Sequence, residues 1–519
     1  MPTLDSIPEL AQVRAAFCAH MEAAGAAKVW EQFTGRIAVA LSGGGARGAY
    51  EAGALLAFQD AKLPTHILTA TSVGSVNAAG FAASSNTLVG NAEEVIERWM
   101  EATPQAVGIE WTRYAWMLGG LVTASAGFGN LIADFLKARG YALNLPYPAI
   151  TWGALGVAGL TVMLFYDRLP YVGYVVGHLF QRKAWKVDAR KAGLSLVANV
   201  VIWGFLIGTL FALNFFSLFR KLLSVHPLAA ALIVGGTLLV VVTRTLWRGP
   251  LSNTLHRIIR LPLRPGLFQN FERARFLRRR LSEDKLRASP MRVLFTVTDL
   301  EKGTARFFAN VSTAVLAADP GADENFVKEF VCETRDLIGA IVASSALPIA
   351  FEPIRIDGCW YSDGGLCTNQ PLRPAVRLGA DVVFLVMMDT MGNRRNVMGT
   401  FVDVGISALD ILMRQNLLYD LRFSANMNAA CERAAEELGL RPEEVEISLG
   451  ARSYRYIKAI AICPPEPLPG SSLDFSIALT RAAILQGYND ASAQLGAFLV
   501  YAREARFGAS RRKLDWSRR

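Results

Sequence analysis

Two short stretches near the start of the chain hold the groups that acyl transfer needs. Ser72 stands in Ala70-Thr71-Ser72-Val73-Gly74, one residue away from the G-x-S-x-G pattern that presents a serine hydroxyl at a strand-to-helix turn. Ala70 is the departure, and it adds a Cβ where such a turn usually has none. Upstream, Ser42-Gly43-Gly44-Gly45-Ala46-Arg47-Gly48 exposes a row of backbone N–H groups. A serine beside such an anion cradle attacks a carbonyl carbon while the N–H groups bind the oxyanion that forms. Arg47 lies at the start of a helix, where the dipole disfavours a cation, so it calls for an anionic or carbonyl partner that holds the loop in shape.

The same residues bear on other chemistries. Gly43, Gly45 and Gly48 satisfy G-x-G-x-x-G, but a dinucleotide site expects an acidic residue at the end of the second strand, where this chain has Ala70-Thr71-Ser72. A P-loop fails because no Gly-Lys-Ser/Thr follows. A histidine base for Ser72 is also hard to place. The five histidines (His20, His66, His178, His226 and His256) all precede Asp363, so the order Ser, Asp, His cannot be completed. A base other than histidine is required. The six cysteines (Cys18, Cys332, Cys359, Cys367, Cys431 and Cys463) show no CxxC and no metal spacing, and the chemistry asks for no cofactor and no metal.

The elements that must position these residues are legible as apolar runs and periodic stretches. Arg36 to Leu41 and His66 to Ala70 read as buried strands, each breaking into a turn and then a helix, so parallel pairing brings both turns to one sheet edge. Residues 1–35 read as a peripheral helical arm, either with Trp30 and Phe33 packing on the sheet or solvated as an amphipathic arm. Met291 to Thr298 resumes the sheet with Thr304 to Asn310 as hairpin partner, and Asp336 to Ser345 is helical up to Leu347-Pro348. Asp381 to Met388 is a further parallel strand. Phe401 to Arg422 and Asp474 to Tyr501 read as long helices with the strand Tyr454 to Cys463 between them. The basic tail, 506–519, has no periodicity and is expected to be disordered.

Composition changes over 114–265. Hydrophobic residues make up 52% of the 519, with mean hydropathy +0.28, high enough to expect membrane segments. Ala192 to Phe219 runs 28 residues without Asp, Glu, Lys or Arg, and Leu222 to Thr243 runs 22. About 20 apolar residues span a bilayer, so both qualify; Ala149 to Tyr166 is marginal and Tyr114 to Ala133 weak. Since the sheet precedes and follows this region, the crossings must be even in number, two or four. The competing reading makes all four segments buried helices of a large lid. Net charge is +10, and the basic residues gather at the flanks, among them Lys186, Arg190, Lys191, Arg244 and Arg248, which places the catalytic side on the cytoplasmic face. The basic helix from Phe271 to Leu281 suits anionic headgroups, and no reading module for nucleic acid accompanies it.

Three blocks together resemble the patatin-like phospholipases, including the neuropathy-target-esterase type. They are Gly43-Gly44-Gly45-Ala46-Arg47-Gly48, the Thr71-Ser72-Val73-Gly74 turn, and Asp363-Gly364-Gly365 with Asn369 and Pro371 behind it. Ala343 to Pro348 looks like the helix the family places before its aspartate strand. The resemblance covers about 36–92 and 291–501 and omits the insertion. It implies a three-layer α/β/α fold with a mainly parallel sheet, which the apolar runs of 114–265 are expected to interrupt with a helical, transmembrane insertion. The catalytic domain is then 36–113 with 266–505. It also implies a Ser72–Asp363 dyad and an oxyanion loop of Gly43, Gly44, Gly45 and Arg47 in which the N–H groups of Gly44 and Gly45 donate. Gly74, Gly364 and Gly365 would support the turns. Without the resemblance, Asp363-Gly364 reads as a hairpin turn. The expected substrate is a membrane phospholipid or lysophospholipid. The rival readings are a membrane scaffold that keeps the fold without catalysis and, third, a dinucleotide-binding protein.

Overall fold

The computed structural model describes residues 7–104, 266–390 and 401–515, with breaks at 269, 450–451, 471–473, 506 and 508–510, and a few positions between 106 and 159. Two compact units divide the chain, Met1–Ile109 with Pro265–Arg519, and Glu110–Arg264. The four apolar segments of 114–265 fall almost wholly outside the described residues. Among the described residues, no helix is long and apolar enough to cross a membrane.

Strands in the first unit are β1 (Ile37–Leu41), β2 (Ile67–Thr71), β3 (Gly266–Phe268), β4 (Arg292–Asp299), β5 (Thr304–Ala309), β6 (Val331–Cys332) and β7 (Ile349–Phe351). They continue as β8 (Ile354–Ile356), β9 (Cys359–Asp363), β10 (Val382–Val386), β11 (Val445–Leu449), β12 (Arg452–Arg455), β13 (Lys458–Ile462) and β14 (Arg512–Asp515). The main sheet runs β13-β10-β1-β2-β4-β5-β6, with β9 also on β4 and β8 on β9. Its centre, from β13 to β4, is parallel, so the fold is α/β with a mainly parallel sheet. The order reverses at β1, whose neighbours are β2 on one side and β10 on the other, and such a switch point opens a crevice at the carboxyl ends of the strands.

The apolar strands are buried on both faces because alternate residues point into separate cores. Ile37, Val39 and Leu41 join one apolar cluster with Val382, Phe384 and Val386; Ala38 and Ala40 join a second with Val383 and Leu385. Helices Ala49–Asp60, Val73–Ala83, Leu337–Ser344 and Ile477–Glu504 cover the first face, and Glu324–Phe330 and Leu372–Arg377 the second. Ala49–Asp60 and Ile477–Glu504 cross backbone to backbone. A Cβ on Gly53 would strike the Ile484 carbonyl, and one on Gly487 the Tyr50 carbonyl. Two hydroxyls pin the crossing, Tyr50 donating to Asp490 at 2.8 Å and Tyr488 to Asp60 at 2.9 Å.

Several elements differ from the sequence reading. The N-terminal helices Pro8–Ala23 and Ala26–Gln32 seat Trp30 on Phe498 of the Ile477–Glu504 helix, ring to ring at 5.8 Å, rather than on the sheet. The single strand read over Tyr454–Cys463 is two, because Asn428 takes both main-chain bonds of Ile457 (3.0 and 2.8 Å) and breaks the ladder there. The helix from Phe401 continues to Leu438, carried by an alanine- and glutamate-rich stretch of high helix propensity. Part of the tail is ordered. Arg512–Asp515 pairs parallel with β11, and edge pairing through the backbone needs no apolar period. The basic helix, Phe271–Arg280, turns its arginines largely to protein partners: Arg278 to Asp336 at 3.0 Å, Arg275 to Glu272 at 3.6 Å, Arg280 to Glu101, while Arg273 is buried.

Candidate active site

Ser72 follows β2 with φ 55° and ψ −126°, a left-handed backbone that a residue with a Cβ rarely adopts and that costs of order 1–3 kcal/mol. Ser344 holds it there. The Ser72 N–H donates to Ser344 Oγ at 3.0 Å, while that hydroxyl donates to the Thr296 carbonyl at 2.6 Å. Its remaining lone pair then accepts from Ser75 Oγ at 2.7 Å, which uses the full capacity of a serine hydroxyl. The strain sits at Ser72 alone. Ala70 lies within β2, fully buried in the first apolar cluster and without positive φ, so its Cβ is accommodated. Gly74 is tightly constrained, since a Cβ there would meet the Ser42 carbonyl at 2.7 Å.

Asp363 reaches Ser72 because β4 serves both strands. β2 pairs with the first part of β4, ending at Thr71 opposite Thr296; β9 pairs antiparallel with the next part, placing Asp363 opposite Val297. The two partners are thus one step apart on β4, and Ser72 Oγ donates to Asp363 Oδ2 at 2.6 Å. The Gly365 N–H donates to the other carboxylate oxygen at 2.8 Å, and Thr298 Oγ1 donates to the Asp363 carbonyl at 2.8 Å. No room for a side chain exists at Gly364, where a Cβ would lie 3.0 Å from Thr296 Cβ. The hairpin turn that Asp363-Gly364 resembles lies instead at Asp357-Gly358, both at positive φ (48° and 93°), between β8 and β9. Asp363 is fully buried, and burial pushes its carboxyl up to about 6, against the lowering influence of the Ser72 hydroxyl, the Gly365 N–H and the Arg273 charge.

The glycine loop is fixed from the aspartate side. Thr69 and Thr71, on one face of β2, donate to the carbonyls of Pro371 (2.7 Å) and Thr368 (2.8 Å) and so fasten the segment carrying Asn369. Asn369 in turn accepts the Gly43 N–H, through Oδ1 at 3.1 Å and its own carbonyl at 3.2 Å. Gly43 therefore has its N–H engaged, and its place in the site is steric, because a Cβ would sit 2.9 Å from Ser72 Cβ. The N–H groups of Gly44 and Gly45 have no acceptor among the described residues. Gly45 has φ 61°, and a Cβ on Gly44 would crowd Met388 Sδ at 2.7 Å. Arg47 points to Asp389 at 3.5 Å and donates to the Gly470 carbonyl at 3.1 Å, so it holds the loop from outside.

The sequence reading missed a buried polar set beneath this loop. Asn77 Nδ2 donates to the Gly48 carbonyl and to Glu51, both at 2.9 Å, and Asn77 Oδ1 accepts from Trp99 Nε1 at 2.8 Å. It thereby joins the end of the glycine loop to the helix that begins after Ser72. Glu51 is fully buried, and burial pushes its carboxyl well above the ordinary range. Polar residues on otherwise apolar helices were the available signal. His66 lies at the far end of β2 from Ser72, accepting the Ile37 N–H at 3.2 Å. Among the described residues, no group of three His, Cys, Asp or Glu side chains is arranged to hold a metal ion.

The family described as patatin-like phospholipase matches residues 39–167 and 208–376, more than half of the chain. The match enters 114–265 from both sides, where no resemblance was expected, and stops at Val376, short of 377–501. Among curated proteins none matches. Among solved structures the chain is similar to VipD from Legionella pneumophila, with 13% identity and a TM-score of 0.30 over 89% of this chain and 67% of that one. On the extent of the family match, this chain belongs to the patatin-like phospholipase family.

Proposed function

We propose that this protein is a membrane-anchored serine lipid acyl hydrolase that cleaves acyl esters of phospholipids or lysophospholipids, with Ser72 as nucleophile and Asp363 as its proton acceptor. The observation that carries the reading is the 2.6 Å bond from Ser72 Oγ to Asp363 Oδ2, at a turn held at φ 55°. As Oγ attacks the ester carbonyl carbon, its proton passes to Asp363, and the carbonyl oxygen, now negative, is met by the Gly44 and Gly45 N–H groups. Collapse of the tetrahedral intermediate breaks the bond to the alcohol, which leaves with the proton from Asp363. Water then gives a proton to Asp363 and attacks the acyl-serine; the fatty acid departs and Ser72 recovers its proton. A carboxyl near 6 exchanges protons at neutral pH better than an ordinary one near 3.8.

Membrane attachment rests on the apolar runs Ala192–Phe219 and Leu222–Thr243 and on their basic flanks, with the catalytic unit on the cytoplasmic side. A site held against the bilayer meets a water-insoluble substrate directly, and an anionic lipid surface suits the net charge of +10. A fluorophosphonate probe should label the folded protein at Ser72 and fail on Ser72→Ala. Absence of labelling in folded wild type would favour the scaffold reading instead. Carbonate extraction that frees the protein from membranes would remove the anchor.

A further inference from the structure

We propose that Arg273 is a positioning residue for the Ser72–Asp363 pair: it is the buried counter-charge of the Asp363 carboxylate and the clamp on the loop that leads into β9. The inference rests on the hydrolase reading above and assigns a role to a residue that reading does not use.

The environment of Arg273 is unusual for a cation in a run of surface arginines. Its residue is 7% exposed, and it makes no ion pair among the described residues. Its guanidinium lies over the Phe351 ring at 4.0 Å from the centroid and donates to the carbonyls of Val342 (3.1 Å) and Ser345 and to Asn270 Oδ1. Nε is buried without a partner. Val342 and Ser345 lie at the C-terminal end of the Leu337–Ser344 helix, where the dipole is negative and favours a cation. Burial lowers the guanidinium to about 9, leaving it a cation at neutral pH, and Asp363 is the charge that sustains it.

One peptide separates this clamp from the catalytic strand. Ser345 accepts from Arg273, and the next carbonyl, of Ala346, accepts the Asp363 N–H at 3.0 Å and the Ser362 hydroxyl at 2.8 Å. The same loop is tied to the chain entering the Phe271–Arg280 helix. β3 pairs with β7, and Asn270 Nδ2 donates to the Glu352 carbonyl at 2.5 Å. The groups acting on the Asp363 carboxyl are the Ser72 hydroxyl from the β2 turn, the Gly365 N–H from its own loop and Arg273 from the helix that follows β3. Arg273 is the one charge among them. An unopposed buried carboxylate would take up a proton and lose its capacity as a base. Arginine is suited to the place, since its planar fork binds two carbonyls while its face stacks on a ring, which an ammonium cannot do.

The test is the pH dependence of fluorophosphonate labelling at Ser72 in the full-length protein, for wild type, Arg273→Gln and Arg273→Lys. Arg273→Gln should move the acid limb of the labelling rate upward by about one pH unit. Arg273→Lys should keep the limb near its wild-type position but label several-fold more slowly. If folded Arg273→Gln keeps the wild-type limb, the residue is structural only and the proposal fails. If Arg273→Gln does not fold, Arg273→Lys decides: slower labelling with an unmoved limb supports the proposal, and wild-type rates at every pH overturn it. Wild type that is not labelled at all removes the hydrolase reading and this inference with it, whereas labelling indifferent to Arg273 removes this inference alone.

Discussion

Replacing Asp363 by asparagine should destroy turnover and stabilise the protein. Burial holds the Asp363 carboxyl at about 6, against 3.8 in an exposed chain, after the opposing effects of Ser72, Gly365 and Arg273. Between those two values the folded state binds the proton more tightly than the unfolded state, so stability falls as pH rises through the interval and stays reduced above it. At about 1.4 kcal/mol per pH unit, keeping the carboxylate charged costs the fold about 3 kcal/mol at neutral pH. Asparagine mimics the protonated acid. Its carbonyl can still accept from Ser72 or the Gly365 N–H, so most of that cost disappears. The stability gain of Asp363→Asn should be near zero at about pH 3, about half its full size at about pH 5 and constant above about pH 7. Thermal melts of both proteins in one detergent across that range measure it. Activity on a lysophospholipid should fall at least about a hundredfold, the share of a general base. A variant no more stable than wild type at neutral pH, or one offset equally at every pH, would refute the burial argument.

Further outcomes follow from the same contacts. The kcat/KM of wild type should fall on the acid side with a midpoint at about 6, and a midpoint near 4 would show that Asp363 is solvated. Gly43→Ala places a methyl against Ser72 Cβ and Asn369, and should slow fluorophosphonate labelling at least about tenfold, an overpacking cost of about 1–3 kcal/mol, while circular dichroism stays native. Glu51→Gln should leave labelling within about twofold because burial already disfavours the charged carboxyl and the amide oxygen can still accept from Asn77, whereas Glu51→Ala leaves one Asn77 N–H without its acceptor and should lower stability by about 1–3 kcal/mol in the same melts. Gly53→Ala drives a methyl into the Ile484 carbonyl and should cut the melting temperature more than Gly80→Ala, which meets only the end of the Arg98 side chain and Val95.

Much of this molecule was legible in its residues. Apolar runs marked β1, β2, β4 and β10 because strands buried on both faces admit little else, and the abrupt change to Gly43-Gly44-Gly45 or to Ser72 marked where each strand stops. The absence of any histidine after Asp363 rules out the order Ser, Asp, His from residue positions alone. Other features depend on three dimensions. The meeting of Ser72 with Asp363 is set by β4, long enough to pair with β2 and then with β9, and no local pattern encodes that shared register. Asn428 splitting a continuous apolar stretch, Asn369 engaging the Gly43 N–H, and Arg273 turning inward from a run of surface arginines are likewise invisible to periodicity. Periodicity reports which face of an element is apolar, whereas a buried polar group is fixed by the partner that satisfies it, and that partner lies elsewhere in the chain.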